Sequence, residues 1–273
     1  MSATTSRGAG RAAAGSATGS LLDPRGLVLP LVLLAGWQAW ALRLPANSPA
    51  PSPAHVVIAF VHLVGNGELP AALLMSLGRV VGGFATGLVG GVVIGVLMGA
   101  FRPVRRLLEP IIESFRPVAP MAVLPIAILW FGTGTPAAVS IVAYAAFFPL
   151  LVNTVHGVSR VERRLVQAAL TMGVSRVRIL TKVILPAAMP SILLGARLGM
   201  SVAWTAIIAA ELAVGAKSGS GSSGGIGSMM FVFYAYSVDL NGIVVCMIVV
   251  GLVALVIDQL FRAAEARLLP WRH

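Results

Sequence analysis

Acidic residues are scarce in this chain: nine Asp and Glu stand against twenty Lys and Arg, and the four types together make only 11% of 273 residues. A soluble domain carries about a quarter charged residues. So low a share, with 58% hydrophobic residues and a mean hydropathy of +0.92, excludes an ordinary water-soluble fold and points to a bilayer. Cysteine is nearly absent as well. Cys246 stands alone inside an apolar run, which excludes an intramolecular disulfide and a cysteine-built metal site and reads as buried packing. Lysine occurs twice, as Lys182 after Thr181 and Lys217 after Ala216. A phosphate-cradling loop needs Gly directly before Lys and then Ser or Thr, so "GAKSGSG" does not qualify and the chain is expected to be no enzyme and to bind no cofactor. His55 and His62, seven residues apart on an amphipathic stretch, suggest no metal site. The cations do not gather on an aromatic-rich face, which argues against a nucleic-acid partner; they fall between apolar runs.

Those runs are what the chain has in abundance. A span needs about 20 apolar residues, and the pattern predicts an all-α polytopic membrane protein with about six transmembrane helices, near 26–42, 80–101, 107–131, 137–155, 188–214 and 240–261, in one membrane domain over 26–273. Residues 1–25 are small and polar and read as a disordered cytoplasmic tail. The first run can be the core of a cleaved signal peptide or an uncleaved anchor; the long preceding tail and Trp37 and Trp40 near its end favour the anchor. "PANSPAPSP" then breaks regular structure, and 54–64 reads as an amphipathic stretch at an interface.

Gly83, Gly87, Gly91, Gly95 and Gly99 form a smooth stripe on the second span, against which a neighbouring helix can pack closely. Tight packing and a surface that slides during transport both remain open. The third span is interrupted by Pro103, Pro110, Pro117, Pro120 and Pro125, and its clean apolar part, 118–131, is too short to cross alone. The preceding helix is expected to supply the missing turns across a kink, with Arg105, Glu109, Glu113 and Arg116 satisfying one another by their helical spacing. Within the fifth span lie two charges, Arg197 and Glu211, too far apart along one helix to pair. Both are candidates for the translocation pathway or a gate; for Glu211 the competing reading is that it satisfies a neighbouring helix.

Cations favour the cytoplasmic side of a membrane. Sixteen of them flank the spans on one side in the six-helix arrangement, and Arg43, Arg79 and Lys217 lie on the other. An odd number of spans would destroy this bias, so both termini are expected in the cytoplasm. The same bias places 160–186 there. Leu165, Ala168, Ala169 and Met172 recur at spacings of three and four and form one sticky face, while Arg163, Arg164, Arg176 and Arg178 meet water or lipid head groups. Gly173 can end one short helix and let another begin at a new angle. The product is a knob suited either to a groove in a partner protein or to anionic lipid.

The same residues carry a resemblance. "QAALTMG", nine residues, then "VILP" resembles the cytoplasmic signature of ABC importer permeases, whose usual form is Glu-Ala-Ala, three residues, Gly, nine residues, then Ile, any residue, Leu, Pro. Ala168, Ala169, Gly173, Leu185 and Pro186 match, Val183 replaces isoleucine, and Gln167 replaces the glutamate, which removes a charge. "FRPVAPMAVLPIAILWFG", "GARLGMSVAWTAIIAAEL", "GGIGSMM" and "RAAEARLLPW" look like the nitrate, sulfonate and taurine branch, so the resemblance covers roughly 45–271. It implies the type I ABC importer permease fold in a bacterial cytoplasmic (inner) membrane, with 160–186 as the segment coupling to the ATPase subunit. The implied partners are two copies of an ATP-binding subunit, which uses ATP and Mg, a second permease forming a homodimer, an extracytoplasmic solute-binding protein and membrane lipid. The implied solute is a small anion such as taurine, an alkanesulfonate, nitrate or bicarbonate. "KSGSGSS", 217–223, is longer than the family pattern and reads as a linker or as a contact for the binding protein. An ion-coupled secondary transporter is the alternative, though it asks for midplane acids and internal repeats.

Overall fold

The computed structural model describes residues 24–43, 45, 50–218 and 224–268; residues 1–23 of the expected 1–25 tail and most of the 217–223 run lie outside the described residues, and Pro24 and Arg25 open a helix. Helix accounts for nearly all of it, and no strand occurs among the described residues. The helices are α1 (Pro24–Leu42), α2 (Pro53–Gly65), α3 (Glu68–Ala100), α4 (Arg102–Phe115), α5 (Pro120–Phe131), α6 (Thr135–Ser159), α7 (Arg163–Thr171), α8 (Arg176–Ile179), α9 (Leu185–Ser218), α10 (Ile226–Val232) and α11 (Leu240–Leu268). π-helical turns at Leu180–Ile184 and Phe233–Ser237 join α8 to α9 and extend α10.

The centre of the bundle is the seam between α3 and α6, the most extensive helix pair. All five stripe glycines sit in it. A Cβ on Gly83 would lie 2.5 Å from Val142 Cβ, on Gly95 2.7 Å from Thr154 Cβ, and on Gly99 2.6 Å from Val158 Cβ. On Gly87 and Gly91 it would meet the Ala143 carbonyl at 2.7 Å and Leu150 Cβ at 2.8 Å. The two backbones therefore approach to a distance that no larger residue permits, and the packing reading of the stripe accounts for every glycine in it. α9 closes the other side of α6 with the same device, Gly195 meeting Asn153 and the Pro149 carbonyl. Trp204, Ile207 and Leu150 fill the core between α3, α6 and α9.

One expectation about the spans changes. Among the described residues four helices can cross a membrane by length and composition, α3, α6, the continuous helix through α9, and α11, or five if α4 and α5 count as one broken span, and the apolar helix Leu31–Leu42 lies within α1. The expected kink between α4 and α5 is a bend of 97°, so their lengths do not add along one axis. Pro120 supplies the reason, since a residue before proline is driven out of the helical region, and Ala119 is extended at φ −64°, ψ 139°. Tyr144 of α6 secures the bend by donating its hydroxyl to the carbonyls of Phe115 at 3.0 Å and Val118 at 3.3 Å. The four charges singled out in the sequence pair as expected, Arg105 with Glu109 at 3.0 Å within α4 and Glu113 with Arg116, just past its end, at 3.5 Å.

α3 also begins twelve residues earlier than the apolar pattern suggests, at Glu68. Consequently Arg79, expected in an outer loop, is a buried residue of a long helix. Outside the central seam, Ser52 caps α2 by accepting the His55 amide, and Val56 and Leu63 of α2 pack with Val245, Cys246 and Val249 of α11. Trp37 of α1 donates its indole N–H to the Pro51 carbonyl at 3.0 Å, which fastens α1 to the start of α2.

Candidate functional sites: a knob and two ion pairs on one helix

The segment 160–186 folds as a knob. α7 ends in a Schellman arrangement: the Val174 amide donates to the Ala169 carbonyl at 3.1 Å and the Gly173 amide to Leu170 at 3.0 Å, with Gly173 at φ +73°. An L side chain is strained at that φ, so a glycine stands where the chain reverses. Ala169 is buried and anchors α7 by its inner face, while Gln167 and Ala168 are exposed. Leu165, Leu170, Met172 and Val177 are all at least about half exposed, Met172 at 74% and Val177 at 72%. Around this apolar tip stand Arg163, Arg164, Arg176, Arg178 and Lys182, every one of them exposed. Val183 and Leu185 are half-buried where the π turn meets α9, Pro186 is exposed beside them, and α7 packs on that turn. Both halves of the signature thus belong to one body. From Arg176 the helix continues to Val214 as 39 residues, about 58 Å at 1.5 Å per residue.

Glu211 lies near the far end of that helix and is sealed, with its side chain 1% accessible. Its Oε1 accepts from Arg79 Nη1 at 2.8 Å; its Oε2 accepts from the Ser76 hydroxyl at 2.7 Å and the Gly227 amide at 3.2 Å. Ser76 Oγ in turn accepts the Ile226 amide at 2.9 Å, Arg79 Nε donates to Thr135 Oγ1 at 3.2 Å, and Ser228 Oγ donates to the Glu211 carbonyl at 3.1 Å. The group therefore fastens α3, the start of α6, α9 and α10 together. It also explains two of the three glycines of "GGIG": a Cβ on Gly225 would strike the Glu211 carboxylate and the Ser76 hydroxyl, and one on Gly227 would meet Glu211 Cβ at 2.8 Å. Of the two readings of Glu211, its geometry matches satisfaction of neighbouring helices.

Arg197 is elsewhere on the same helix, about 21 Å from Glu211, and its partner is Asp258 of α11. Arg197 Nε donates to Asp258 Oδ1 at 2.6 Å, and Arg262 Nε donates to Oδ2 at 2.8 Å. The side chains of Arg197 and Asp258 are 29% and 35% accessible. The two candidate pathway charges are therefore not brought together, and each has a partner that sequence reasoning did not assign. The missed residues are Ser76, Arg79 and Asp258. One signal was present for the last: Asp258 is a lone acid in an apolar helix, and a charge within a span needs a partner or water.

Residues 91–270 match the family described as binding-protein-dependent transport system inner membrane component. The chain belongs to this family of ABC importer permeases. It is 35% identical over 251 residues to a putative ABC transporter permease protein of Methanocaldococcus jannaschii, covering 89% of this chain and 90% of that one. It is 35% identical over 250 residues to a putative aliphatic sulfonates transport permease protein of Bacillus subtilis, covering 91% and 88%. To the taurine transport system permease protein of Escherichia coli it is 33% identical over 251 residues, covering 89% and 87%. Among solved structures, an amino acid ABC transporter with histidines superimposes with a TM-score of 0.56 at 18% identity, over 76% of this chain and 98% of that one, which shows the fold alone. The permease is thus an all-α, multi-pass inner-membrane subunit of the type I importer fold, from a family that works with an ATP-binding subunit and a solute-binding protein.

Proposed function

We propose that the permease forms the pathway of an ATP-driven importer for a small anion of the sulfonate, taurine, nitrate or bicarbonate type, that two copies pair with each other and with two ATP-binding subunits, and that both termini face the cytoplasm. The knob carries this reading. An apolar tip ringed by five cations, and left uncovered by the described residues, suits a groove with acidic walls in a partner. Its continuity with α9 means that a push on the knob is delivered along a rigid helix to both ion pairs. ATP and Mg belong to the partner, and this chain's residues Gln167, Ala168, Ala169, Gly173, Val183, Leu185 and Pro186 serve the contact. The relatives named for sulfonates and taurine support the solute class.

Gly173→Asp tests the docking. A side chain at φ +73° reshapes the turn, so co-purification with the ATP-binding subunit and uptake into proteoliposomes are expected to be lost while membrane insertion is retained. Normal uptake by this variant would count against docking at the knob. Gln167→Glu is expected to keep the ATPase contact, since it only restores a charge at an exposed position. Solute accumulation by the permease alone, under an ion gradient and without nucleotide, would favour the secondary-transporter alternative.

A further inference from the structure

Arg197, Ser201 and Thr205 recur every four residues along α9 and share one helix face. The described residues leave that face uncovered: Ser201 and Thr205 are exposed. With Trp204, Asp258 and Phe261 they line a recess of about 150 Å³, room for a small oxyanion or about five waters at ~30 Å³ each. The recess lies between α9 and α11 toward the end from which the knob projects, Arg197 about 18 Å along the helix from Leu185 and Asp258 about 15 Å from the end of α11 at Leu268. Charged and hydroxyl side chains within apolar spans face a water-filled cavity or protein rather than lipid.

We propose that this recess is a transient binding site for the travelling monoanion, in which the terminal nitrogens of Arg197 hold the oxyanion while Asp258 shifts its weight to Arg262. The inference rests on the importer reading. Its geometric basis is the division of labour around Asp258. One carboxylate oxygen takes Arg197 through Nε and the other takes Arg262, so the acid has a second cation to keep when the first is engaged elsewhere. Among the described residues the hydrogen bonding of Arg197 runs through Nε alone, which leaves the Nη edge of the guanidinium open. That edge presents paired N–H donors at the spacing of two oxygens on a carboxylate or sulfonate. The Ser201 hydroxyl, one helical turn along, likewise makes no hydrogen bond among the described residues. Thr205 already donates to the Val202 carbonyl at 2.9 Å, and the Trp204 indole N–H to Val250 at 3.1 Å, so these two shape the wall and leave the donors to Arg197 and Ser201. Arg197, Asp258 and Arg262 together carry one formal positive charge, which a monoanion completes. Asp258 keeps the grip weak, and a pathway needs a site that releases as readily as it fills.

The test uses the permease with its ATP-binding subunit in nanodiscs, without the binding protein. Ethanesulfonate, nitrate and bicarbonate are titrated, ethanesulfonate by saturation-transfer NMR with ethanol as the neutral control. Saturable binding of at least one anion is expected, weakened about tenfold or more by Arg197→Gln and strengthened several-fold by Asp258→Asn, which removes the competing carboxylate. A purely structural ion pair predicts that both variants lose binding together. Such parallel loss, indifference to either variant, or no saturable anion with the unaltered complex would overturn the inference. If either variant fails to assemble, Ser201→Ala decides instead, with weaker binding expected and unchanged binding contrary. An unaltered complex that imports an anion but binds it regardless of Arg197 sinks only this site. One that neither docks its ATPase nor imports sinks the importer reading itself.

Discussion

The two ion pairs of α9 are built on opposite plans. At Glu211 the carboxylate is 1% accessible and accepts from a guanidinium, a hydroxyl and a backbone amide, so its bonding capacity is used within the fold. At Asp258 the carboxylate is 35% accessible, is shared between two arginines, and leaves part of Arg197 open. The first arrangement suits a fixed joint, because removing any member strands a buried charge. The second suits exchange, because each cation can lose its share of the acid without being left in a dry interior. Both sit on the helix that begins in the knob, so a single continuous element links the knob, the open pair and the closed joint.

The most severe way to probe the contrast is to remove the acid from the closed joint. Glu211→Ala is expected to cost about 3–5 kcal/mol, since a buried ion pair is then broken from one side, and to appear as a large fall in the thermal midpoint of the detergent-solubilised protein. The double replacement Arg79→Met with Glu211→Leu is expected to recover part of that loss, because neither charge of the pair is then buried alone, while the Gly227 amide still lacks its acceptor. Wild-type stability for Glu211→Ala would mean that water reaches the joint and that the contrast with Asp258 is false.

A smaller effect is expected at Ser76, which donates to Glu211 and accepts from Ile226. Ser76→Ala leaves the buried Ile226 amide without its acceptor, at about 1–3 kcal/mol. Because Ile226 opens α10, the loss should be local: hydrogen exchange should quicken in 224–237 before it does in α6. Uniform quickening through α3 and α6 would show that the joint supports the whole bundle rather than one segment.

The joint is also where sequence reading met its limit. Five glycines at a spacing of four announce a close helix seam, because the property that matters, an absent side chain, is visible at each position; all five lie against α6. The knob was legible for a similar reason, its spacing being local to one stretch of chain. Arg79 was not, because its partner lies 132 positions away. Without that partner Arg79 reads as a residue outside the span, and the apolar pattern of α3 starts at Val80. Asp258 was lost in the same way, 61 positions from Arg197. The proline bend was foreseen, but the size of its turn, 97°, depends on Tyr144 reaching two carbonyls from another helix, and no pattern within 102–131 encodes that.

The mildest probe acts on the open pair from outside. Arg262 is the most exposed of its three charges, with 66% of its side chain accessible, so Arg262→Gln is expected to leave the thermal midpoint where it was, as surface ion pairs contribute little. Its consequence should instead be functional. With its second cation gone, Asp258 has only Arg197 to bind, and an incoming anion must compete with the undivided carboxylate. Anion binding is therefore expected to weaken modestly, in the opposite direction to Asp258→Asn, and the double variant should behave as Asp258→Asn does because no carboxylate remains to be redirected. That ordering is specific to an acid handed between two arginines. If Arg262→Gln weakens binding equally with Asp258 present and absent, Arg262 acts on the anion by its own charge, and the exchange plan assigned to this end of α9 gives way to simple electrostatic attraction.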